Sequence, residues 1–269
     1  MIRAKFNYSK RAKINCNLKD VINDSLSELE FFLNYLKNKI PDSLHILIEK
    51  LILEYEKGID YGIVIDADYE ILSLHPELLK RSINQILSLV EYNKYNKHSI
   101  DDLIDIDALD LVRASNLFEF SFKSSLLKIM PYKEVIEFIK QFSDDVVHSR
   151  KNPDKFVDSL EELLDRYKSG AEQWQMQSTV AKIINDEKML YKVSRCKWAE
   201  VLKDFDLKFC YSMMCYQDFE NAKNQNPNFI LTRTKTILMG DDYCDFCYHD
   251  TRNDKDIAHP SEKDFQELG

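Results

Sequence analysis

Five of the six cysteines, Cys196, Cys210, Cys215, Cys244 and Cys247, fall in the last third of the chain, and only Cys16 stands apart. Thiols grouped in this way suit metal binding or catalysis more than a disulfide framework when the compartment is reducing. The densest stretch is LTRTKTILMGDDYCDFCYH, Leu231 to His249. It joins an alternating segment, one of only five glycines, a pair of aspartates and a Cys-x-x-Cys. Thiols, carboxylates and an imidazole therefore fall within a few residues of a tight turn. A thiolate or a base-activated water at such a place can attack an electrophilic carbon.

Zinc is the other chemistry that Cys-x-x-Cys brings to mind. On a strand, however, Cys244 and Phe246 face one way while Asp245, Cys247 and His249 face the other. Chelation from this spacing needs a knuckle turn and normally a second pair, which the four-residue gap between Cys210 and Cys215 does not provide. A metal held by Cys244, Cys247, Cys215 and His249 is thus the minor reading, and neither a metal nor a cofactor is expected.

The joint spacing of Cys196, Cys215, Asp218, Arg233, Thr236, Gly240, Asp241, Cys244, Asp245 and Phe246 resembles the L-2-amino-thiazoline-4-carboxylic acid hydrolase family. The carrying segments are SRCKWAE, CYQD and NPNFILTRTKTILMGDDYCDF. They are similar to a family pattern of Arg-Cys leading into a helix, then Cys-x-x-Asp, then Asn-Pro, Arg-Thr and Gly-Asp-x-x-Cys-Asp-Phe. The resemblance is close from Tyr191 to Tyr248, looser back to Leu126, and does not reach residues 1–110. Cys247 and the N-terminal half lie outside the pattern. The resemblance implies a small-molecule hydrolase that opens a cyclic amidine-like thiazoline to an N-carbamoyl thiol amino acid. It implies Cys244 as candidate nucleophile, Asp241 or Asp218 as general base, and Cys215 and Cys196 lining the site. Arg233 would grip a substrate carboxylate in a bidentate fork. Asp245 belongs to the matching motif, and His249, just outside it, could shuttle a proton.

Taken singly, these residues have plainer uses. Asp241 and Asp242 after Gly240 are ordinary turn formers. Asp218 can cap the helix running through Phe219 to Asn224. Arg233 can be half of a surface ion pair worth little. His45, His75, His98 and His148 stand alone and receive no function. A non-catalytic module that holds a small ligand on the same sheet is therefore the rival to an enzyme.

The elements that must position these groups can be read from periodicity. Helical spacing runs from Leu18 to Lys57 with a break at Pro41, and Pro76 opens another helix to about Tyr92. GIDYGIVIDADYEIL, residues 58–72, reads as a short strand or an extended link. IDIDALDLVRASNLFEF, from Ile104, resumes helical spacing. Helices follow at Tyr132 to Phe142 and Asp154 to Tyr167, the second closed by Lys168, Ser169 and Gly170. Shorter segments come next: Met189 to Cys196, a helix from Lys197 to about Asp204, Phe209 to Tyr216, and an alternating strand over Ile230 to Met239. The fold class is thus α+β, a helical N-terminal half followed by a C-terminal antiparallel sheet with packed helices. The expected divisions are a helical extension over 1–110, a hydrolase-like domain over 111–250 and an acidic, mobile tail over 251–269.

Composition sets the outer limits. Hydrophobic residues at 44% are ample for a packed core in 269 residues, and scarce glycine and proline leave little room for long irregular loops. A net charge of -9 disfavours a general nucleic-acid or anionic-membrane binder. Arg3, Lys5, Lys10, Arg11, Lys13 and Lys19 precede the first acid and read as a solvated basic arm. No apolar signal region follows, and no segment approaches the ~18 to 20 apolar residues that a membrane span needs. A cytoplasmic protein with reduced thiols is expected, acting on a small molecule, with a homodimer or partner contact as one use of the N-terminal helices.

Overall fold

A computed structural model describes residues 3–9, 11–55, 58–66 and 68–268. The chain forms two compact units, one of residues 13–142 and one of residues 1–12 with 143–269. The expected boundary at 110 lies inside the first unit. Lys10, part of the basic arm, lies outside the described residues. No described helix is long and apolar enough to cross a membrane.

The first strand among the described residues is β1 (Arg3–Phe6), and β2 (Lys13–Cys16) follows it in the first unit. Helix α1 (Leu18–Lys39) starts where the Asn17 side chain accepts the Asp20 N–H at 2.7 Å, an N-cap in the usual sense. Its buried stripe of Leu18, Ile22, Leu26, Leu29, Leu33 and Leu36 follows the three-and-four spacing of one helix face. Pro41 opens α2 (Pro41–Tyr55) and Pro76 opens α3 (Pro76–Leu89), each at a position where a missing N–H costs nothing. Between them the described residues form one short 3-10 turn, Leu72–Leu74, and Glu30 draws its start inward by accepting the Ile71 and Leu72 N–H groups at 2.8 and 2.9 Å. The helical spacing expected from Ile104 begins instead as a short strand, β3 (Ile104–Asp107), antiparallel to β2, before α4 (Ala108–Ser124). Alternating Ile104 and Ile106 bury one face of that pair, a period of two that four residues barely announce.

Helix α5 (Tyr132–Ser149) runs past the expected end at Phe142. Helix α6 (Leu160–Trp174) continues through Gly170 and ends at Gln175, whose φ of 46° makes the left-handed cap expected at the glycine. A five-stranded antiparallel sheet follows, in the order β1, β4 (Gln177–Ile184), β5 (Lys188–Cys196), β7 (Cys244–Asp250), β6 (Phe229–Thr232). The β4–β5 hairpin turns through Asn185 and Asp186, both at positive φ, which these two residue types tolerate best after glycine. Between β5 and β6 lie α7 (Lys197–Leu202), α8 (Leu207–Cys210), one π turn over Tyr211–Cys215, and α9 (Asp218–Gln225). A final helix, α10 (Glu262–Gln266), closes the chain.

Two expectations about the ends give way here. The basic arm forms β1 and pairs with β4 from Arg3 opposite Lys182 to Phe6 opposite Thr179, its charges alternating outward while Phe6 is buried. The segment expected as a mobile tail carries Phe265 and Leu268 into a cluster with Leu190, Tyr243 and Cys247. The apolar residues among the tail's acids are few, but they are placed against a sheet face that would otherwise meet water.

Candidate functional site

Strand β7 lies between β5 and β6, and every one of its residues is buried. Its alternation divides the motif residues between two faces, as the strand period requires. Cys244, Phe246 and Tyr248 enter the main core with Tyr191, Leu163 and Phe6. Cys247 enters the opposite cluster with Phe265.

On the first face, Arg233 organises the site. It follows β6, and its Nη1 donates to Asp218 Oδ2 at 2.7 Å. Its Nη2 donates to the Cys215 carbonyl at 2.8 Å and to Tyr211 Oη at 3.3 Å. The guanidinium carbon lies 4.8, 5.1 and 5.4 Å from the ring centres of Phe246, Phe219 and Tyr211. Burial is the largest influence and opposes its charge, but Asp218, Cys215 and Tyr211 together outweigh it and hold the group cationic. Asp218 opens α9 and is itself drawn upward, since burial disfavours its carboxylate while Arg233 pulls the other way.

The thiols gather around this pair. Cys215 closes the π turn, Cys196 ends β5, and Cys244 opens β7. Asp218 acts on all three, Cys196 acts on both Cys215 and Cys244, and Cys244 acts on Cys215. Burial pushes Cys244 up to about 12, Cys215 well above its usual value and Cys196 upward. All three rest as protonated thiols at neutral pH. Cys244 Sγ accepts the Ile237 N–H at 3.2 Å, a bond that favours the thiolate once its proton leaves. An aromatic wall of Tyr167, Tyr191, Phe246 and Tyr248 continues this face, with Tyr167 Oη donating to Tyr248 Oη at 3.1 Å.

The other motif residues have different surroundings. Asp241 Oδ2 accepts the Thr236 N–H at 2.7 Å and so closes the turn through Ile237–Met239 and Gly240. Gly240 has φ +98°, a conformation that a side chain resists. Asp245 points away from Cys244. It accepts the Thr234 and Lys235 N–H groups at 2.8 and 2.7 Å, the Thr234 hydroxyl at 2.5 Å, and a contact from His259 Nε2 at 3.0 Å. These bonds end the expected ten-residue strand after Thr232, because Asp245 bends the next residues out of the ladder. Asn226 makes the preceding turn, donating to the Val157 carbonyl and accepting the Asn228 N–H.

His249 is fully buried on the same side as Asp245. Its Nδ1 meets Asp254 Oδ2 at 2.7 Å and its Nε2 meets Thr232 Oγ1 at 2.9 Å. The structure therefore brings Cys196, Cys215, Asp218, Arg233 and Cys244 together. It places Asp241 in the turn beside them and Asp245 and His249 across the sheet. Tyr211, Thr232, Asp254 and His259 were not legible as site residues; Thr232, next to Arg233 in a strand, carried the only signal. All six cysteines are free. Among the described residues no three His, Cys, Asp or Glu side chains converge as metal ligands, and the four considered for zinc are split between the two faces.

Residues 128–248 match the family model described as L-2-amino-thiazoline-4-carboxylic acid hydrolase, so the resemblance carried by the cysteine and aspartate spacing holds over that segment. No curated protein matches the chain. Two solved structures are similar at a low level. The Fe(II) unliganded H-NOX protein from K. algicida is 11% identical, with 90% of this chain and 99% of that chain covered at a TM-score of 0.28. A mutant of the same protein is 11% identical, with 85% and 94% covered at 0.26. Scores this low carry no argument about fold or ligand.

Proposed function

We propose that the chain is a cytoplasmic hydrolase that opens a small thiazoline-like heterocycle or a related amino-acid derivative at the carbon between nitrogen and sulfur. The observation that carries this reading is the convergence of Asp218, Arg233 and three thiols against an aromatic wall, inside the segment that matches the hydrolase family. The protonated state of the thiols favours water as the attacking group. Asp218, lifted by burial yet anchored by Arg233, is the base placed to take a proton from it. Water oxygen bonds to the ring carbon, the carbon–sulfur bond breaks, and a urea carbonyl remains. One water proton ends on the ring nitrogen and the other on the departing sulfur, with Asp218 relaying between them. Cys244, Cys215 and Cys196 line the reacting carbon. Two of Arg233's five N–H groups have no partner among the three bonds described above, and these are the donors that would meet a substrate carboxylate.

The test is turnover of L-2-amino-thiazoline-4-carboxylate, followed by thiol release, in wild type, Asp218→Asn and Cys244→Ser. Wild type should release thiol, Asp218→Asn should lose on the order of 100-fold or more, and Cys244→Ser should keep most of the rate. Loss of turnover in a folded Cys244→Ser protein would replace water by direct attack of that thiol. No release from wild type would remove this substrate and leave a different ligand, or no catalysis at all, as the better reading. In the latter case the same site would be better described as a binding module, with the spare Arg233 donors holding a ligand rather than a reacting substrate.

A further inference from the structure

Asp218 combines accessibility with desolvation. Its side chain is 31% exposed, yet burial is the strongest influence on its carboxyl group. A group that solvent touches while protein surrounds it lines a recess rather than the outer surface. Cys196, Cys215 and Tyr167 share both properties, each partly exposed and each dominated by burial. Tyr167 belongs to α6 and packs on Tyr191 of the sheet with ring centres 5.4 Å apart.

Beside this recess two hydroxyls share a single hydrogen bond. Tyr167 Oη donates to Tyr248 Oη at 3.1 Å, and no other hydrogen bond reaches either oxygen among the described residues. Each hydroxyl carries one hydrogen, so the Tyr248 hydrogen has no acceptor, although only 5% of that residue is exposed. Buried polar hydrogens are as a rule paired, which marks this one as a donor for a ligand atom. Its ring is fixed. Tyr248 stacks on Phe246 at 6.5 Å and 6°, and Tyr191 meets it edge-on at 6.4 Å. Phe246 also lies 4.8 Å from the Arg233 guanidinium, so the donor and the Arg233–Asp218 pair adjoin one ring. The Asp218 charge acts on both tyrosines, and together with burial it keeps both hydroxyls protonated.

Resting on the hydrolytic reading above, we infer that Tyr248, oriented by Tyr167, donates to the oxygen of the attacking water and keeps that bond as the oxygen becomes the urea carbonyl. The water gives one hydrogen to Asp218 and accepts one hydrogen bond from Tyr248, which leaves a lone pair for the ring carbon. As the carbon–oxygen bond forms and the carbon–sulfur bond breaks, the water's protons pass through Asp218 to the ring nitrogen and the sulfur. Tyr248 keeps its proton throughout. The ring carbon of the substrate bears only nitrogen and sulfur, so no substrate oxygen occupies this place before attack. The bond therefore favours the transition state and the product over the substrate. Tyr167 is a positioning residue, which fixes the direction of the Tyr248 hydrogen by donating to its oxygen.

Tyr248→Phe and Tyr167→Phe keep the rings and their packing, which near-ultraviolet circular dichroism checks. With L-2-amino-thiazoline-4-carboxylate, Tyr248→Phe should lose on the order of 100-fold in kcat at a KM near that of wild type, and Tyr167→Phe should lose less. Calorimetry with the product, N-carbamoyl-L-cysteine, under reducing conditions needs no turnover. Tyr248→Phe should bind it about tenfold more weakly than wild type. If wild type turns over the thiazoline and Tyr248→Phe matches it, the donor falls and hydrolysis stands. If wild type binds the product without turnover and Tyr248→Phe loses that affinity, the donor stands and hydrolysis of this thiazoline falls. A loss in KM alone, or one larger in Tyr167→Phe than in Tyr248→Phe, overturns the assignment of Tyr248. Wild type that neither turns over the thiazoline nor binds the product overturns both.

Discussion

Arg233 shows how much one side chain can be asked to do when it is enclosed. Only 2% of it is exposed, so solvent does not screen its pairing, whereas Asp218 keeps 31% of its side chain in contact with water. Replacing Arg233 by Met would strand a carboxylate that solvent can partly reach. The cost should fall near the lower end for a broken buried pair, about 3 kcal/mol, read as a lower denaturant midpoint at an unchanged slope. Arg233→Lys should recover little of this, because one ammonium cannot span Asp218, the Cys215 carbonyl and three rings together. His249 gives the complementary case for pH. Its pKa is depressed in the fold, chiefly by burial, so the folded state resists its protonation. Stability is therefore full above the ordinary imidazole value of about 6.5 and declines as pH falls through the depressed one. Denaturant melts at stepped pH should show that decline in wild type, and His249→Asn should lack it. A wild-type midpoint that stays level through this range would show that His249 charges as easily folded as unfolded.

Elements were legible where one physical signal acted alone. Pro41 and Pro76 mark helix starts because a ring that fixes φ and removes an N–H fits the first helical turn. The division of Cys244 and Phe246 from Asp245, Cys247 and His249 follows from strand period and needs no tertiary knowledge. Legibility failed where a distant side chain overrode the local pattern. Ile230 to Met239 alternates well enough for a long strand, yet Asp245 takes the Thr234 and Lys235 N–H groups and ends the ladder at Thr232. Phe209 to Tyr216 reads only as a short segment of no definite type, and it coils through α8 and a π turn, which delivers the Cys215 carbonyl to Arg233. Gly240 is the element-scale test of the turn that follows. A Cβ there would meet nothing within 4 Å, so the penalty of Gly240→Ala comes from φ +98° alone. It should cost about 1 to 2 kcal/mol in denaturant melts. Near-zero cost would mean that the turn relaxes without help from Gly240, and with it the grip of Ile237 on Cys244.

At the scale of the molecule, the chain's two ends decide whether the sheet is complete. The thiol face depends on a five-stranded sheet in which one edge strand comes from the basic arm, Arg3 lying opposite Lys182 and Phe6 opposite Thr179, while Tyr8 reaches Ser178 across 170 residues. Charge alone could not reveal this, because Arg3 and Lys5 point outward from β1 just as they would from a solvated arm. The information lies in Phe6, which is buried with Tyr191 at a ring distance of 6.2 Å. Phe6→Ala in the full chain should therefore cost about 3 kcal/mol, the low end for a buried aromatic, since the ring lies at the sheet's edge where neighbours can partly close in. Deleting residues 1–8 removes the ring and the ladder bonds together and uncovers the β4 edge, a row of unpaired N–H and carbonyl groups of the kind that recruits other chains. That variant should melt lower than Phe6→Ala and sediment with a concentration-dependent larger species. A solvated arm makes the opposite demand, that both variants melt and sediment with wild type, so one pair of melts and one sedimentation series separates the two.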